Sequence, residues 1–426
     1  MERIILPKNV EIIIDKLNQE GYQAYVVGGC VRDSLLGATP HDWDICTSAL
    51  PEETMRVFSD KKIIPTGLKH GTVTIVLDGS EYEVTTFRID GEYKDGRHPD
   101  QVEFVNDLKL DLMRRDFTIN AMAYSHKTGI IDYFGGCSDL CNKIIKCVGN
   151  PTDRFNEDAL RILRALRFAT RLGFDIDKLT REAMLSMAGQ LGCVSMERIN
   201  SELIKAISPL EIKENLMLDL LHVLKHVIPE LEDPNRAIKI KSFNRIRPEV
   251  RLPLIFDFSD ELLYDVLRRM KFSNAIIDRS MAISKYGNLL IENLYDKTVT
   301  KNVSNKTDSI FPDDNIAIKR MVFEAGCANS LFAISYARCK YEGHDKFRLI
   351  KFGNRLCKYC ASEDAIFSLR DLKINGNDLI AAGYSGKEIG KCLNELLSRV
   401  FDCSIKNDFD SLISEAYRMR GRHGNL

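Results

Sequence analysis

The chain has 426 residues, too many for one ordinary hydrophobic core, so we expect about two to four domains. Its 44% hydrophobic and 28% charged residues are typical of a globular protein, and no run approaches the roughly 20 apolar residues that cross a bilayer. The net charge of −1 neither favours nor excludes nucleic acid, because positive charge can be concentrated on one face. The N-terminus lacks a basic region followed by a long apolar run, so we expect a cytoplasmic protein without a signal peptide or membrane segment.

The first part of the chain, to about residue 140, mixes strand and helix signals. Ala24–Val27 is a short apolar strand, and Thr72–Leu77 is a β-branched strand that ends at Asp78-Gly79. That dipeptide is typical of a hairpin turn, so Glu81–Phe87 is predicted to be the return strand. This part is therefore predicted to be an α/β domain with some antiparallel pairing.

Helical periodicity dominates from about residue 155 almost to the end. Polar or Pro- and Arg-bearing breaks interrupt it at Asp233–Arg251, Tyr295–Asp314 and Asn375–Asp378. The 12 cysteines are scattered, and only Cys357 and Cys360 have the spacing of a metal or redox pair. Because a structural zinc site usually needs a second such pair, free and reduced thiols are expected.

A glycine turn follows the first strand. Gly28 and Gly29 allow the backbone to approach a ligand closely, and the following helix begins with free N–H groups that suit a phosphate. Arg32 adds a forked donor for a phosphate oxygen. A plain tight turn is the alternative interpretation of the two glycines.

Two aspartates come about a dozen residues later. Alternate residues of a strand share one face, so Asp42 and Asp44 are predicted to aim their carboxylates at one point. Two carboxylates repel each other unless a cation lies between them, and Mg²⁺ prefers carboxylates together with phosphate oxygens. The pattern predicts a Mg²⁺–triphosphate site, with Glu81 or Glu83 of the return strand as a third carboxylate. A solvated loop or a helix cap is the alternative for the aspartates.

The segment Asp153–Ala169 is predicted to be an amphipathic helix capped by Asn156. Asp158 and three arginines lie off its apolar face on successive turns; the arginines are Arg161, Arg164 and Arg167. An Asp158–Arg161 surface ion pair is one interpretation. Three arginines without an intervening acid repel each other, however, and this favours an anionic or base ligand.

The pair Asp158 and Arg161 also suggests which base is read. An ionised Asp only accepts hydrogen bonds and Arg only donates them, which matches the pairing edges of cytosine and adenine and opposes those of uracil and guanine.

Several motifs together resemble the class II tRNA nucleotidyltransferases, which include the CCA-adding enzymes and their poly(A) polymerase relatives. They stand in family order at Gly28–Asp33 with Asp42–Asp44, Arg114–Ala121, Asp132–Leu140, Glu157–Arg161 with Arg164 and Arg167-Phe168, and Ser195–Leu203. Residues Ile374–Ile380 resemble the family's tail.

The resemblance implies an α/β nucleotidyltransferase head with a mixed or antiparallel sheet, followed by an all-α neck, body and tail. We place these segments at residues 1–145, 146–210, 211–350 and 351–426. It implies Mg²⁺ ligands at Asp42 and Asp44, and it selects Glu83 rather than Glu81 as the third catalytic carboxylate. The nucleotide-binding positions that it implies are Gly28, Gly29, Arg32, Arg115, Asp158, Arg161, Arg164 and Arg167. For Arg115 an ion pair with Asp116 is the structural alternative.

The predicted activity is template-free addition of C, C and A to the 3′ end of tRNA from CTP and ATP. A poly(A) polymerase or A-adding enzyme of the same superfamily is the first alternative, and a non-catalytic RNA-binding protein is the second. Residues Glu92–Pro99 resemble the family's flexible loop, which argues against an enzyme that adds only C. Candidate RNA phosphate contacts are Lys239, Lys241, Arg245, Arg247, Arg251, Arg418, Arg420 and Arg422; the oligomeric state is left open.

Overall fold

The structure is a computed structural model that describes residues 4–91, 102–231, 246–295, 310–311 and 313–423. The predicted loop Glu92–Pro99 and the candidate contacts Lys239, Lys241 and Arg245 lie outside these residues, as does the side chain of Arg422. The chain forms two compact units, Met1–Asn235 and Arg236–Leu426. Across the described ranges, no helix is both long enough and apolar enough to span a membrane.

The first unit is built on a mixed sheet of seven strands in the order β3-β4-β5-β2-β1-β8-β9. The strands described in this unit are β1 Ala24–Val27, β2 Ile45–Thr47, β3 Lys62–Gly67, β4 Thr72–Leu77, β5 Ser80–Thr86, β6 Arg88–Asp90, β7 Val102–Phe104, β8 Met122–Ser125, β9 Gly129–Asp132, β10 Ile144–Ile145 and β11 Asp175–Ile176. Strands β6 with β7 and β10 with β11 form two small separate ladders. The seven-stranded sheet confirms the predicted α/β head.

The predicted hairpin is present. Strands β4 and β5 pair antiparallel from Thr72↔Thr85 to Leu77↔Ser80. Both turn residues have a positive φ, 49° at Asp78 and 78° at Gly79, as a two-residue turn of this hand requires. The local signal in the sequence was therefore sufficient for this element.

The register of β2 brings two predicted site residues together. Within the large sheet, β2 pairs antiparallel with β1 but parallel with β5, where Ile45 lies opposite Val84. Asp44 precedes Ile45 and Glu83 precedes Val84, so the backbones of these two residues are neighbours. Asp42 and Asp44 stand just before β2 rather than in it, which corrects the prediction of a strand. Val27 N still donates to Asp44 O at 3.0 Å, so Asp44 continues the ladder.

Helices accompany the strands of this unit. Those in its described residues are α1 Lys8–Gln19, α2 Gly29–Leu35, α3 Pro51–Val57, α4 Leu108–Met113, α5 Gly136–Cys141, α6 Pro151–Glu157, α7 Leu160–Leu172, α8 Lys178–Ser186, α9 Met196–Ile207 and α10 Glu214–Leu224. A short 3-10 turn, Thr118–Asn120, lies between α4 and β8.

The predicted helix over Asp153–Ala169 is in fact two helices. Asn150, not Asn156, caps the first of them, and its side chain accepts from Thr152 N. Asp158 ends α6 in an extended conformation, φ −145° and ψ 103°, and α7 begins two residues later. Pro151 at the first position of α6 explains the earlier start, because its fixed φ suits the first helical turn.

Helices are the regular elements of the second unit, and its described residues contain no strand. Its helices are α11 Pro248–Phe256, α12 Asp260–Arg269, α13 Asn274–Tyr295, α14 Asp314–Lys340, α15 Lys346–Cys360, α16 Gly376–Ala381, α17 Lys387–Phe401 and α18 Phe409–His423. Gly326, with φ 79° and ψ 160°, kinks α14. The polar turn predicted at Asn375–Asp378 is the capping box of α16. A helical second half confirms the predicted fold class, and the finer division into neck, body and tail stays a prediction.

The expectation that all thiols are free is wrong at one pair. Cys327 and Cys360 form a disulfide, with Cα atoms 6.4 Å apart, that joins α14 to the end of α15. The other ten cysteines remain thiols. Sequence spacing singled out Cys357 as the partner of Cys360, but neighbouring residues on one helix are poorly placed for a disulfide, and tertiary packing brought Cys327 near instead.

Gly136 offers a test of how the 3-10 turn is held. A Cβ at this position would lie 2.3 Å from Thr118 O and 2.9 Å from Met122 Cγ. We expect Gly136→Ala to lower the free energy of unfolding by about 1–3 kcal/mol, because an extra methyl group there overpacks a rigid backbone. Urea unfolding measures the effect. Gly192→Ala, where nothing lies within 4 Å, is the control, and equal losses in both variants would contradict the packing argument.

Candidate active site

An open cleft of about 460 Å³ in the first unit brings together nine of the predicted site residues. These are Gly28, Gly29, Arg32, Asp44, Arg115, Asp158, Arg161, Arg164 and Arg167. The remaining lining residues are Arg114, Asp116, Asn120, Leu160, Phe168, Arg171 and Arg198. The predicted residues Asp42 and Glu83 are not among the lining residues.

The charge of the cleft wall is strongly positive. Eight of its lining residues are arginines and three are aspartates, and its described lining contains no lysine. A guanidinium is planar and carries several donors in a fixed fork, so it matches phosphate oxygens and base edges better than an ammonium does. The cleft is therefore suited to a polyanion that also carries hydrogen-bonding edges, as a nucleotide does.

Different structural features explain why glycine occupies each of the two positions of the turn. Gly28 has φ 77°, and a Cβ there would lie 2.8 Å from Arg115 Nη1, so the protein itself requires glycine. At Gly29 a Cβ would be in ordinary contact only, 3.6 Å from Arg32 Nη2. The fold does not explain the second glycine, whereas close approach of a ligand to the backbone does.

Arg32 is fixed before any ligand binds. Its Nε donates to Asp33 Oδ1 at 2.8 Å and its Nη1 donates to Asn120 Oδ1 at 2.6 Å. The residue is only 5% exposed. A guanidinium held in this way loses little conformational entropy when it meets a phosphate.

Asp116 is the centre of the polar network. Its Oδ1 accepts from Phe117 N at 2.8 Å and from Asn120 Nδ2 at 3.0 Å, and its Oδ2 accepts from Arg164 Nε at 2.9 Å and Nη2 at 2.6 Å. Burial alone would raise the pKa of this carboxyl, but Arg164 and Asn120 outweigh burial and hold the pKa at about 2. The carboxylate is thus ionised at neutral pH.

The alternative ion pair between Arg115 and Asp116 is wrong. Arg115 Nη2 lies 3.5 Å from Asp111 Oδ2, and Asp116 is taken by Arg164. Adjacent residues face different directions at the end of α4, so sequence proximity misled the prediction. Arg115 Nε is buried without a hydrogen-bond partner among the described residues, which leaves a donor for a ligand.

Asp158 occupies the junction of α6 and α7. Its Oδ1 accepts from Leu160 N at 3.0 Å, as in a helix cap, and its Oδ2 accepts from Arg198 Nη2 of α9 at 2.8 Å. Arg161 Nη1 pairs with Glu157 and also donates to Arg154 O at 3.0 Å. The acid that the structure gives to Arg161 is therefore Glu157, one residue before the predicted partner.

The prediction that the three arginines of α7 have no acidic partner is also wrong. Arg161 has Glu157, Arg164 has Asp116, and Arg167 Nε lies 2.8 Å from Glu202 of α9. Arg161 and Arg167 are 7% and 9% exposed, so they do not form a solvated face. Burial and the neighbouring Arg164 lower the pKa of Arg167 to about 10, while Glu202 opposes them. Glu157 stands in the predicted segment Asp153–Ala169, at the end of α6, whereas Asp116 and Glu202 come from other parts of the chain and could not be seen in that segment.

Phe168 organises the same arginines. The guanidinium carbons of Arg32, Arg164 and Arg167 lie 5.1, 5.5 and 4.2 Å from its ring centroid. The negative face of an aromatic ring attracts a cation, so one ring lowers the cost of keeping three like charges together.

The predicted metal ligands Asp42 and Asp44 stand just before β2, and the predicted third carboxylate, Glu83, stands on the neighbouring strand β5. Asp42, Asp44 and Glu83 are all exposed to solvent. Desolvation by the surrounding protein raises the pKa of Asp44, Arg115 opposes this, and Asp42 adds to it. Desolvation, followed by repulsion from Asp44 and Asp42, raises the pKa of Glu83. The charge of Asp42 thus disfavours the ionised forms of Asp44 and Glu83, and Asp44 does the same at Glu83. A divalent cation bound by these carboxylates would relieve such repulsion.

The side chains of these three carboxylates do not point at one common site. Within the described residues, no three His, Cys, Asp or Glu side chains stand close enough together to hold a metal ion. Their chemistry fits Mg²⁺, whereas their side-chain positions do not form a closed ligand set.

Sequence reasoning missed Arg198 and Asn120 as members of the cleft. Both stand in motifs that were recognised, Ser195–Leu203 and Arg114–Ala121, but neither was assigned a role. Arg198 meets Asp158 across 40 positions and Asn120 meets Arg32 across 88, and no local pattern encodes such contacts.

The structure also limits the predicted RNA contacts of the second unit. Arg251 is fully buried, at 0% exposure, so it does not present a charge to a polyanion. Arg420 donates to Ala382 O at 2.6 Å. Arg247 and Arg418 are exposed, and Arg418 also pairs with Glu415 at 2.8 Å.

Asp116 generates a prediction about acid stability. Its folded pKa of about 2 lies below the ordinary 3.8, so its contribution is present above about pH 4 and is lost as the pH falls through 2. The shift corresponds to roughly 2 kcal/mol. We expect Asp116→Asn to reduce the free energy of unfolding at pH 7, with a gap from the wild type that narrows towards pH 2, in urea titrations.

The control is Asp153→Asn, which changes the same charge at an exposed position. A gap for the Asp116 variant that is equally large at pH 7 and pH 2 would contradict the assignment of the low pKa to this carboxyl.

Family models match two parts of the first unit. The Poly A polymerase head domain matches residues 24–146, and the "Probable RNA and SrmB- binding site of polymerase A" matches residues 173–233. The first match covers the sheet and the glycine turn. The second begins directly after α7.

Relatives match along nearly the whole chain. The CCA-adding enzyme of Ligilactobacillus salivarius is 36% identical over 416 residues, which is 96% of this chain and 95% of that protein. The CCA-adding enzyme of Staphylococcus haemolyticus is 36% identical over 410 residues, covering 95% and 94%. The crystal structure of the Bacillus stearothermophilus CCA-adding enzyme in complex with CTP has a TM-score of 0.72 at 29% identity and covers 99% of this chain and 100% of that one.

The agreement therefore includes both units and is not limited to a shared head. The sheet with its glycine turn, the arginine-lined cleft and the full-length similarity lead to one conclusion: the chain belongs to the CCA-adding enzyme family of tRNA nucleotidyltransferases.

Proposed function

We propose that this protein adds C, C and A in turn to the 3′ end of tRNA, taking the nucleotides from CTP and ATP without a nucleic-acid template. The observation that carries the proposal is one cleft that is lined by the glycine turn, eight arginines and Asp158. Asp44 also lines this cleft, and Glu83 is its neighbour on strand β5. Such a cleft supplies places for a triphosphate, a base and a reacting phosphate together.

We place the triphosphate group of the nucleotide at the glycine turn. Gly28 and Gly29 expose the backbone there, Arg32 is held rigidly, and Arg115 retains a buried donor without a partner among the described residues. We assign Arg32 to the phosphates and Arg115 to the phosphates or the ribose. Fixed guanidinium forks favour a bound, oriented triphosphate over a solvated one.

The base end belongs at the junction of α6 and α7. Asp158 is held there by two hydrogen bonds, which its carboxylate accepts from Leu160 N and Arg198 Nη2. An acceptor beside the guanidinium donors of Arg161 and Arg164 complements the pairing edges of cytosine and adenine. Arg167 supports this wall through Glu202 and Phe168.

In the reaction, a P–O bond forms between the tRNA 3′-oxygen and the α-phosphate, the bond to the β-phosphate breaks, and pyrophosphate leaves. Asp42, Asp44 and Glu83 would hold Mg²⁺, which when bound activates the attacking hydroxyl and neutralises the triphosphate. The arginines of the cleft stabilise the charge that develops on the phosphate oxygens. Because its substrate is tRNA, we place the protein in the cytoplasm.

The direct test is product analysis. The purified chain is incubated with a tRNA that ends at the nucleotide before CCA, together with CTP, ATP and Mg²⁺. We expect extension by C, C and A only, read by high-resolution gel and sequencing. A long A tract made without use of CTP would identify a poly(A) polymerase, addition of A only to tRNA already ending in CC would identify an A-adding enzyme, and no incorporation would indicate a binding protein.

The roles of Asp44 and Glu83 can be tested by substitution. We expect Asp44→Ala and Glu83→Ala each to lower the rate of incorporation at least ~100-fold with little loss of folding, because both side chains are exposed. Incorporation rates and thermal unfolding are measured together. Glu81→Ala, on the same strand face and also exposed, is the matched control and should keep its activity. Equal losses at Glu81 and Glu83 would refute the assignment of the third carboxylate.

Base selection can be tested at Asp158. We expect Asp158→Asn to relax discrimination against UTP and GTP by about tenfold, because an amide offers a donor where the carboxylate only accepts. The measurement is kcat/KM for the four triphosphates. Asp153→Asn, exposed on α6, is the control. Unaltered discrimination in the Asp158 variant would reject the edge-matching account.

A further inference from the structure

A continuous chain of side-chain hydrogen bonds crosses the floor of the cleft. Arg32 Nη1 donates to Asn120 Oδ1 at 2.6 Å, Asn120 Nδ2 donates to Asp116 Oδ1 at 3.0 Å, and Arg164 Nη2 donates to Asp116 Oδ2 at 2.6 Å. One end of the chain lies on α2 after the glycine turn, and the other lies on α7.

The middle member of this chain is an amide. Asn120 is 6% exposed, so its two ends are held by the protein and not by solvent. The oxygen faces a cation and the nitrogen faces an anion, so a flipped amide would oppose both partners. The 3-10 turn that carries Asn120 is itself held by Thr118 N donating to Lys146 O at 2.9 Å and by the close approach of Gly136. Asn120 therefore links Arg32 to Asp116 from a backbone segment that is itself held in place.

The two ends also share an aromatic ring. Arg32 and Arg164 lie 5.1 and 5.5 Å from the centroid of Phe168. Displacement of one guanidinium changes the field at the other, in addition to the hydrogen-bonded route. Asp33 and Asp116 each neutralise one of the two cations.

We propose that Asn120 is a positioning residue that couples triphosphate binding at Arg32 to base selection at Arg164 and its helix. The inference rests on the proposed function, because it takes the turn as the triphosphate end and α7 as the base end. A triphosphate that engages Arg32 adds an interaction to this hydrogen-bonded chain and so stabilises it, and the chain holds Asp116 and Arg164 in the base-selecting arrangement. Such coupling makes discrimination stronger for a triphosphate than for a nucleotide that cannot reach Arg32.

The test compares nucleotides with and without the β- and γ-phosphates. Dissociation constants of CTP, UTP, CMP and UMP are measured by equilibrium dialysis with the full chain in Mg²⁺ buffer and without tRNA. The coupling factor is the UTP/CTP ratio of these constants divided by the UMP/CMP ratio. We expect a factor of about 10 in the wild type, in the ordinary range of coupling energies, and a factor near 1 in Asn120→Ala.

A second variant keeps the proposal falsifiable if the alanine variant does not fold. Asn120→Asp has nearly the same size and still accepts from Arg32, but it cannot donate to Asp116, so its factor should also fall to near 1. Asn142→Ala removes an amide that only reaches Ser138 on the surface and should retain the wild-type factor.

The outcomes separate this inference from the function on which it rests. A wild type that extends tRNA and prefers CTP to UTP, but has a coupling factor near 1, overturns the coupling and leaves the function intact. The coupling is likewise overturned if the factor stays at its wild-type value in a folded Asn120 variant. A wild type that neither prefers CTP nor extends tRNA overturns the proposed function itself.

Discussion

The first unit depends on one buried charge, the carboxylate of Asp116. Removing a carboxylate from water costs several kcal/mol unless its oxygens are fully satisfied, and here four donors satisfy them. Two donors come from the turn that follows the charge and two come from Arg164 on a helix 48 positions away. The pairing of this charge therefore ties helix α7 to the segment before the 3-10 turn Thr118–Asn120, and residues of both line the cleft.

The same principle explains how eight arginines can line one cleft. Arg32, Arg161, Arg164 and Arg167 each have an acid of their own, supplied by Asp33, Glu157, Asp116 and Glu202. The protein is thus stable without a nucleotide, since these four cations are compensated as it folds. Arg115 keeps a donor for a phosphate or a base, because its Nε is buried, already desolvated and without a partner in the described part of the chain.

The balance of charge is negative at Asp42, Asp44 and Glu83. Desolvation raises the pKa of Asp44 and of Glu83, the charge of Asp42 adds to both rises, and Arg115 opposes the rise at Asp44. The arginine-rich wall of the cleft is therefore next to a group of negatively charged carboxylates. An anionic nucleotide that arrives with a divalent cation satisfies both, and this electrostatic division suits a family whose members include a structure solved with CTP.

The sequence by itself determined the features that arise from short-range chemistry. Asp78-Gly79 specified its hairpin because few residues accept a positive φ, and the glycine turn before Arg32 followed from the same property. The spacing of the motifs was sufficient to identify the family. The local pattern misplaced a helix start at Asn156, because Pro151 and Asn150 form a stronger one.

Only the tertiary structure decided which charges meet. The partners of Asp158, Arg167 and Asp116 are Arg198, Glu202 and Arg164, and each lies 35 to 48 positions away in the chain. A helical pattern shows that an arginine leaves the apolar face, but the element that packs against it determines whether it meets water, an acid or a ligand. Electrostatic pairing depends on distance in space, and sequence periodicity contains only distance along the chain.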